Sequence, residues 1–242
     1  IPVGGQPGQV RVLGDSVFVT SMTNKTLSRI DARTGELTTS GEYAAGPGIA
    51  VGGDWLWVVS ERRDVVTRVS PRWLGEIEQI GLGGRPGDLE RASVALGGGS
   101  LWVSQFAPAA VTRWNLETHL LERRYELGGA AVGEIIFGER AAWVPLFSAS
   151  VLLRIDAATG STTRIPVGAG PTDPVLGFGC VWVTSTQQGT VWRLEPFTGQ
   201  IQQVIAVGRV PFGLAVGAGS VWVTDYCGGT VARIDPETNE VV

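Results

Sequence analysis

One histidine, one methionine, two cysteines and a single lysine, Lys25, are all that this 242-residue chain holds of those types. A lone histidine excludes a multi-histidine zinc centre. The two cysteines, Cys180 and Cys227, are too few for a disulfide framework. No apolar run approaches the ~18 residues of a membrane-spanning helix, so membrane insertion of this segment is not expected. Neither sign of charge dominates. The 19 basic and 23 acidic side chains leave a formal net charge of -4, which disfavours a general binder of phosphate backbones, and no nucleic-acid partner is expected. G-X-Y order, long polar tracts and helical periodicity are missing too, which sets aside fibrous, disordered and helical classes. Ile1 opens the chain with no basic-then-apolar leader, as expected of a mature protein or a domain cut from a longer one.

What is present in quantity is glycine, at 35 residues, and tryptophan, at nine, within a chain that is 43% hydrophobic. Both are distributed periodically. An aromatic between small or β-branched residues recurs as VFVT at 17–20, LWVV at 56–59, LWVS at 101–104, AWVP at 142–145 and VWVT at 181–184 and 221–224. The aromatics Phe18, Trp57, Trp102, Trp143, Trp182 and Trp222 are separated by 39, 45, 41, 39 and 40 residues. Eleven residues after each stands an arginine: Arg29, Arg68, Arg113, Arg154, Arg193 and Arg233. A constant offset in all six repeats demands one hairpin of constant length per repeat.

Each repeat reads as four short strands separated by turn residues. In the last, GLAVG (213–217) precedes a Gly-rich turn, SVWVTDY (220–226), a polar turn and TVARID (230–235). Asp31, Asp156 and Asp235 each stand three residues before a threonine, where an Asx-type bond closes a turn. Four strands in ~40 residues is the signature of a β-propeller blade, so residues 1–242 are expected to form a single all-β, six-bladed propeller of four-stranded antiparallel blades. The wrap-around gap from Trp222 to Phe18 is 38 residues, one repeat less about two. The ring is therefore expected to close on an outer strand split between residues 240–242 and 1–3.

The motifs V-W-V-T (221–224), V-x-R-I-D (231–235) and P-x-T-G (196–199) resemble those of the bacterial superfamily of streptogramin B lyase and the YVTN-repeat (YncE-like) propellers. The resemblance spans essentially the whole chain. It implies the propeller fold and an extracytoplasmic setting: secreted, periplasmic or an ectodomain. For the lyases it implies seven blades and a histidine with acidic residues and Mg²⁺ around the central axis. Six repeats are legible here, and the one histidine, His119, stands in the turn slot that Gly35, Gly160 and Gly199 fill elsewhere, where an exposed turn residue is expected.

Most conspicuous residues have a structural explanation. Tryptophans at a constant mid-strand position are expected to pack between blades, and the arginines to cover them with their stems while the heads reach a neighbouring carboxylate or carbonyl. Cys180 and Cys227 fall at opposite ends of adjacent blades' second strands, roughly 20 Å apart against the ~7 Å a disulfide allows, so two free thiols are expected.

Variety is concentrated in the second–third and fourth–first loops, which strand alternation places at one end of the propeller. Glu61 to Asp64, Gln105 and Phe106, Leu146 and Phe147, Gln187 and Gln188, and Asp225 and Tyr226 differ blade by blade. The one long gap adds five residues around Asp88 to Ala92, before the third blade's inner strand. Arg85, Glu90, Phe106, Phe147, Phe212, Asp225 and Tyr226 are expected to line or rim this face. Counting nine back from each aromatic gives an inner ring of Gln9, Gly48, Ser93, Glu134, Asp173 and Gly213, with Arg11 two residues further along. Glu134 and Asp173 would suit a Ca²⁺ or Mg²⁺ ion with oxygens of Ser93 and Gln9, although neutralisation by Arg11, backbone amides and water also satisfies them without any cofactor. The leading functional expectation is a non-catalytic sensor-type propeller binding a small polar ligand, peptide, glycan or protein partner. The alternatives are a Mg-dependent lyase, with Tyr226, Asp173 and Glu134 carrying the chemistry, and a pure protein-interaction scaffold.

Overall fold

A computed structural model describes every residue except 41–44, 61–63, 84–91, 107 and 131, and the side chains of 45–47. Its regular structure is six consecutive antiparallel sheets and one 3₁₀ turn. The sheets are β1 (Pro7–Leu13), β2 (Ser16–Ser21), β3 (Thr26–Asp31) and β4 (Leu37–Thr39); β5 (Ala45–Gly52), β6 (Trp55–Ser60), β7 (Val65–Val69) and β8 (Glu76–Gly81); and β9 (Ser93–Gly97), β10 (Ser100–Gln105), β11 (Ala110–Asn115) and β12 (Leu121–Glu126). They continue with β13 (Ile136–Gly138), β14 (Ala141–Leu146), β15 (Val151–Asp156) and β16 (Thr162–Pro166), then β17 (Pro171–Gly177), β18 (Cys180–Ser185), β19 (Thr190–Leu194) and β20 (Ile201–Ala206). The sixth sheet is β21 (Pro211–Gly217), β22 (Ser220–Asp225) and β23 (Thr230–Ile234). Within each sheet, spatial order follows chain order. This is the all-β, six-bladed propeller fold.

The constant offset of eleven is a cross-strand register. Phe18 pairs with Arg29, Trp57 with Arg68, Trp102 with Arg113, Trp143 with Arg154, Trp182 with Arg193 and Trp222 with Arg233. Each arginine thus lies beside its aromatic. Guanidinium carbons sit 5.1 Å from the Trp102 ring centroid, 5.8 Å from Trp143 and 5.0 Å from Trp182. The indole N–H groups of Trp102, Trp182 and Trp222 donate to the carbonyl of the glycine five residues earlier, at 3.2, 3.0 and 2.9 Å. A buried indole is satisfied this way without a polar neighbour in the core.

The outer turns follow the Asx prediction. The carboxylates of Asp31, Asp156 and Asp235 each accept the backbone N–H groups two and three residues on. Glu195 does the same for Phe197 and Thr198. These bonds hold the three aspartates below the ordinary carboxylate range, and the Thr198 hydroxyl, followed by the backbone amides, does the same for Glu195. The turn then needs a left-handed residue, supplied by Gly35, Gly160 and Gly199 but also by Leu74, His119 and Asn239. His119 therefore occupies the expected slot, at φ 58°. It is half-buried rather than exposed, because its Nε2 reaches Glu78 Oε1 at 2.8 Å, and Glu78 also pairs with Arg68 at 3.1 Å.

The chain forms two compact units, residues 1–129 and 130–242. In the first, Phe18 and Leu27 of the first blade pack with Ile49, Leu56 and Val58 of the second, and Trp57 and Val66 pack with Val94, Leu101 and Val103 of the third. In the second, Trp143 and Leu152 pack with Val181 and Val183, and Trp182 and Val191 with Val221 and Val223. The rule is the same at these four junctions: the aromatic and the residue two before the arginine meet the next blade's second strand. Trp102, Trp143 and Trp182 are wholly buried, and Trp114 and Trp192 join the same clusters. Cys180 is buried, Cys227 is exposed, and both are free thiols.

Of the outer strand expected at the join of the termini, the sixth blade holds the C-terminal part. Val241 bridges Ile234, and Val242 N donates to Arg233 O at 2.9 Å. Residues 1–3 lie in no strand. Gly4 and Gly5, at φ 72° and 59°, turn the chain onto its own second–third loop, where Ser21 Oγ donates to Gly4 O at 3.4 Å.

Candidate functional site

The second–third and fourth–first loops are laced together, as strand alternation requires. In the first unit, Met22 N donates to Gln6 O at 2.8 Å. In the second, Ser185 Oγ and Thr186 Oγ1 donate to Ala169 O and Gly170 O at 2.7 and 2.9 Å. The sixth blade uses a carboxylate for the same purpose. Asp225 Oδ2 accepts Arg209 N, and Oδ1 accepts both Val210 N and Gly228 N, at 2.9, 2.9 and 3.0 Å. These backbone amides, that of Arg209 foremost, hold its carboxyl well below the usual aspartate value. The cage has no spare room. A Cβ on Gly208 or Gly228 would fall 2.4 or 2.2 Å from Asp225 Oδ2. Asp225 is buried, so it acts here as the brace of the rim.

The braced loops present aromatic side chains. Tyr226 is 81% exposed and Phe212 49% exposed, and each has a fixed backbone. Tyr226 N donates to Val210 O at 2.9 Å, and Thr184 Oγ1 donates to Phe212 O at 3.0 Å. Thr172 and Thr184 join their hydroxyls at 2.8 Å beneath this carbonyl.

Beside them lies the inner-ring position. In β1, β5, β17 and β21 the pairing register slips at that step, a β-bulge that re-aims the side chain. Asp173 sits on the β17 bulge, half-buried, with φ 39°. Gly213 is its neighbour on β21, the position of a Cβ there lying 4.0 Å from Asp173 Oδ2. Glu134 is half-buried just before β13. Phe147 opens the 3₁₀ turn Phe147–Ala149, its Cε2 lying 3.2 Å from where a Cβ on Gly170 would be.

In the first unit, Gln9 Oε1 accepts Ile49 N at 2.9 Å, tying the first blade to the second. Ser93 is buried with its hydroxyl sealed from solvent and without a hydrogen-bond partner. Arg11 Nη1 donates to Val10 O at 2.8 Å. Phe106 is 38% exposed at the end of β10. Arg85, Glu90 and residues 88–91 of the inserted stretch lie outside the described residues. Among the described residues, no three His, Cys, Asp or Glu side chains gather to hold a metal.

A concavity appears at the opposite end, where the sequence shows little variety. A cleft of about 640 Å³ is lined by Phe178, Arg193, Gly219, Asp235, Pro236 and Glu237. The signal for it was Phe178, an aromatic in a first–second turn where the other five blades have none.

No family model and no curated protein matches this chain. Solved structures do. A selenomethionine-substituted virginiamycin B lyase from Staphylococcus aureus aligns at TM-score 0.82 and 18% identity, over 98% of this chain and 83% of that one. A streptogramin B lyase structure aligns at TM-score 0.85 and 18% identity, over 98% and 82%. A catalytically inactive virginiamycin B lyase variant from S. aureus, solved with quinupristin, aligns at 0.81 and 20% identity, over 98% and 83%. The chain thus shares the β-propeller fold of the streptogramin B lyases.

Proposed function

We propose that this chain is a non-catalytic binding propeller that takes a small polar ligand, peptide or glycan on its loop-rich end. The observation that carries this reading is the sixth-blade rim. An aromatic pair, Phe212 and Tyr226, is held out to solvent on a backbone locked by the Asp225 cage. Exposed aromatics on a preorganised frame lose little entropy on binding, and their faces stack on sugar rings or peptide planes. Asp173, at a bulge beside Gly213, adds a carboxylate acceptor for a hydroxyl or ammonium donor. A fluorescently labelled wild-type protein applied to a glycan and peptide array is expected to give hits that Phe212→Ala and Tyr226→Ala lose. An array without hits, or hits unchanged in both variants, overturns the reading.

The fold likeness favours a second reading, a lyase acting on a cyclic depsipeptide. Quinupristin incubated with the protein, with and without Mg²⁺, and followed by chromatography for ring opening tests it directly. Turnover that a chelator abolishes would replace the binding reading with this one.

A further inference from the structure

We propose that the cleft between the fifth and sixth blades is a second binding site, and that it takes a free aromatic α-amino acid as its zwitterion. It lies at the end away from the loop-rich rim, and its volume of about 640 Å³ is that of a small-molecule site. Three parts of its lining carry the inference: the Arg193 guanidinium, the Asp235 and Glu237 carboxylates, and the Phe178 ring. All belong to the second unit, and after Asn239 the chain runs back along β23, where Val241 bridges Ile234.

Arg193 differs from its counterparts in what neutralises it. Arg68, Arg113 and Arg154 each have a carboxylate partner, Glu78 at 3.1 Å, Glu122 at 2.7 Å and Asp156 at 3.5 Å. In the third blade Ser100 Oγ accepts Arg113 Nε at 2.9 Å and donates to Glu122 Oε2 at 3.1 Å. The fifth blade keeps this triad with the charge taken out. Cys180 Sγ accepts Arg193 Nε at 3.1 Å and donates to Gln202 Oε1 at 3.3 Å. Gln202 and Glu122 each stand 20 residues after their blade's tryptophan. Arg193 Nη1 is taken by Pro236 O and Asn239 Oδ1, both at 2.7 Å, while Nη2 has no hydrogen-bond partner among the described residues. Asp235 and Glu237 share the lining without pairing with this cation. Asp235 Oδ1 accepts the amides of Glu237 and Thr238 at 2.8 and 3.1 Å, which leaves Oδ2 and the exposed Glu237 carboxylate for a donor. Opposite charges that share a cleft without meeting fit a ligand that carries both. Its carboxylate takes the free edge of the guanidinium, and its ammonium takes the acidic pair. A simple cation would meet Arg193, and a simple anion would meet the two acids.

Phe178 sets the side chain of the ligand. It opens the turn between β17 and β18 at φ 53°, a left-handed slot that Gly14, Gly53 and Gly98 fill at φ 55°, 58° and 62°. A bulky residue is disfavoured in that conformation, and this one is 43% exposed, so the fold gains little from its ring. The gain lies in the cleft, where the ring offers a face to a second aromatic.

Heteronuclear NMR titration of the 242-residue chain with L-phenylalanine is expected to give saturable shifts in the amides of Phe178, Gly219 and Glu237. Phenethylamine, which lacks the carboxylate, and hydrocinnamate, which lacks the ammonium, should each bind at least about tenfold more weakly, the loss of one charge-assisted contact. Phe178→Gly and Glu237→Gln should each weaken L-phenylalanine by about the same factor. Both should keep the circular dichroism spectrum and melting temperature of the wild type, since glycine takes this slot in other blades and Glu237 is exposed. No saturable shift at those amides overturns the proposal. So does an affinity unchanged in both variants, or one that either truncated analogue matches.

Discussion

The guanidinium of Arg193 lies over the Trp182 ring, 5.0 Å from its centroid, while Nη1 donates to Pro236 O of the next blade at 2.7 Å. One side chain thus closes a hairpin laterally and ties it to the following blade's outer turn. The arrangement recurs: Arg154 Nε donates to Pro196 O at 3.3 Å and Arg29 Nη1 to Arg72 O at 2.6 Å. Arg193→Ala removes a cation–π contact and charge-assisted bonds to a carbonyl, and is expected to lower stability by roughly 2 kcal/mol. Arg193→Lys should recover less than half of this, because an ammonium lacks the planar fork that reaches ring and carbonyl together. Denaturant midpoints of the two variants decide it, and equal midpoints for lysine and wild type would refute the dual role.

Tryptophans and rim aromatics should separate cleanly. Trp143→Ala opens a large cavity at a wholly buried site and should destabilise by about 3–5 kcal/mol. Tyr226→Ala changes an 81% exposed side chain and should stay within about 0.5 kcal/mol of wild type. Thermal unfolding of both checks the expectation, and a large loss for Tyr226→Ala would make that ring part of the fold.

Acid should loosen the turns and the rim together. Asp31, Asp156, Asp225 and Asp235 are all held below the ordinary aspartate value, each mainly by backbone N–H groups. A carboxyl whose native pKa is lowered stabilises the fold above its unfolded value and loses that contribution as pH falls through the native one. The melting temperature should therefore drop on acidification below about pH 4. Asp225→Asn should melt below wild type at pH 7, and the gap should close as the acid limb is reached. A gap independent of pH would show that shape rather than charge is what the cage requires.

The two thiols should differ in access. Cys180 is buried, its Sγ accepting Arg193 Nε at 3.1 Å, while Cys227 is exposed. A chromogenic disulfide reagent should titrate one thiol in the native protein and two after unfolding without reductant. None after unfolding would reveal a disulfide.

Repetition is what made the fold legible. A hairpin's register depends only on residues eleven apart in the chain, so Trp182 opposite Arg193 was readable from spacing, as was the Asx turn at Asp156 from its own tetrapeptide. His119 in a glycine slot was readable for the same reason, since backbone conformation there is a local property. Its bond to Glu78 was not, because that depends on how two blades pack. The rim divides along the same line. Loop variety marked Phe212, Asp225 and Tyr226 as one group, but only the folded chain assigned Asp225 to bracing and the aromatics to solvent. A carboxylate's role is set by which amides converge on it, and Arg209, Val210 and Gly228 come from two loops of the chain. Ser93 shared the inner-ring count with Asp173, yet one is sealed and the other sits on a bulge. Counting residues assumes an unbroken ladder, and a bulge slips it by interactions that no local pattern encodes. Sequence alone thus determined the repeat, the strands and the turns, which are short-range. Burial and bracing belong to the tertiary structure, because each is decided by what neighbouring strands and loops place against a side chain.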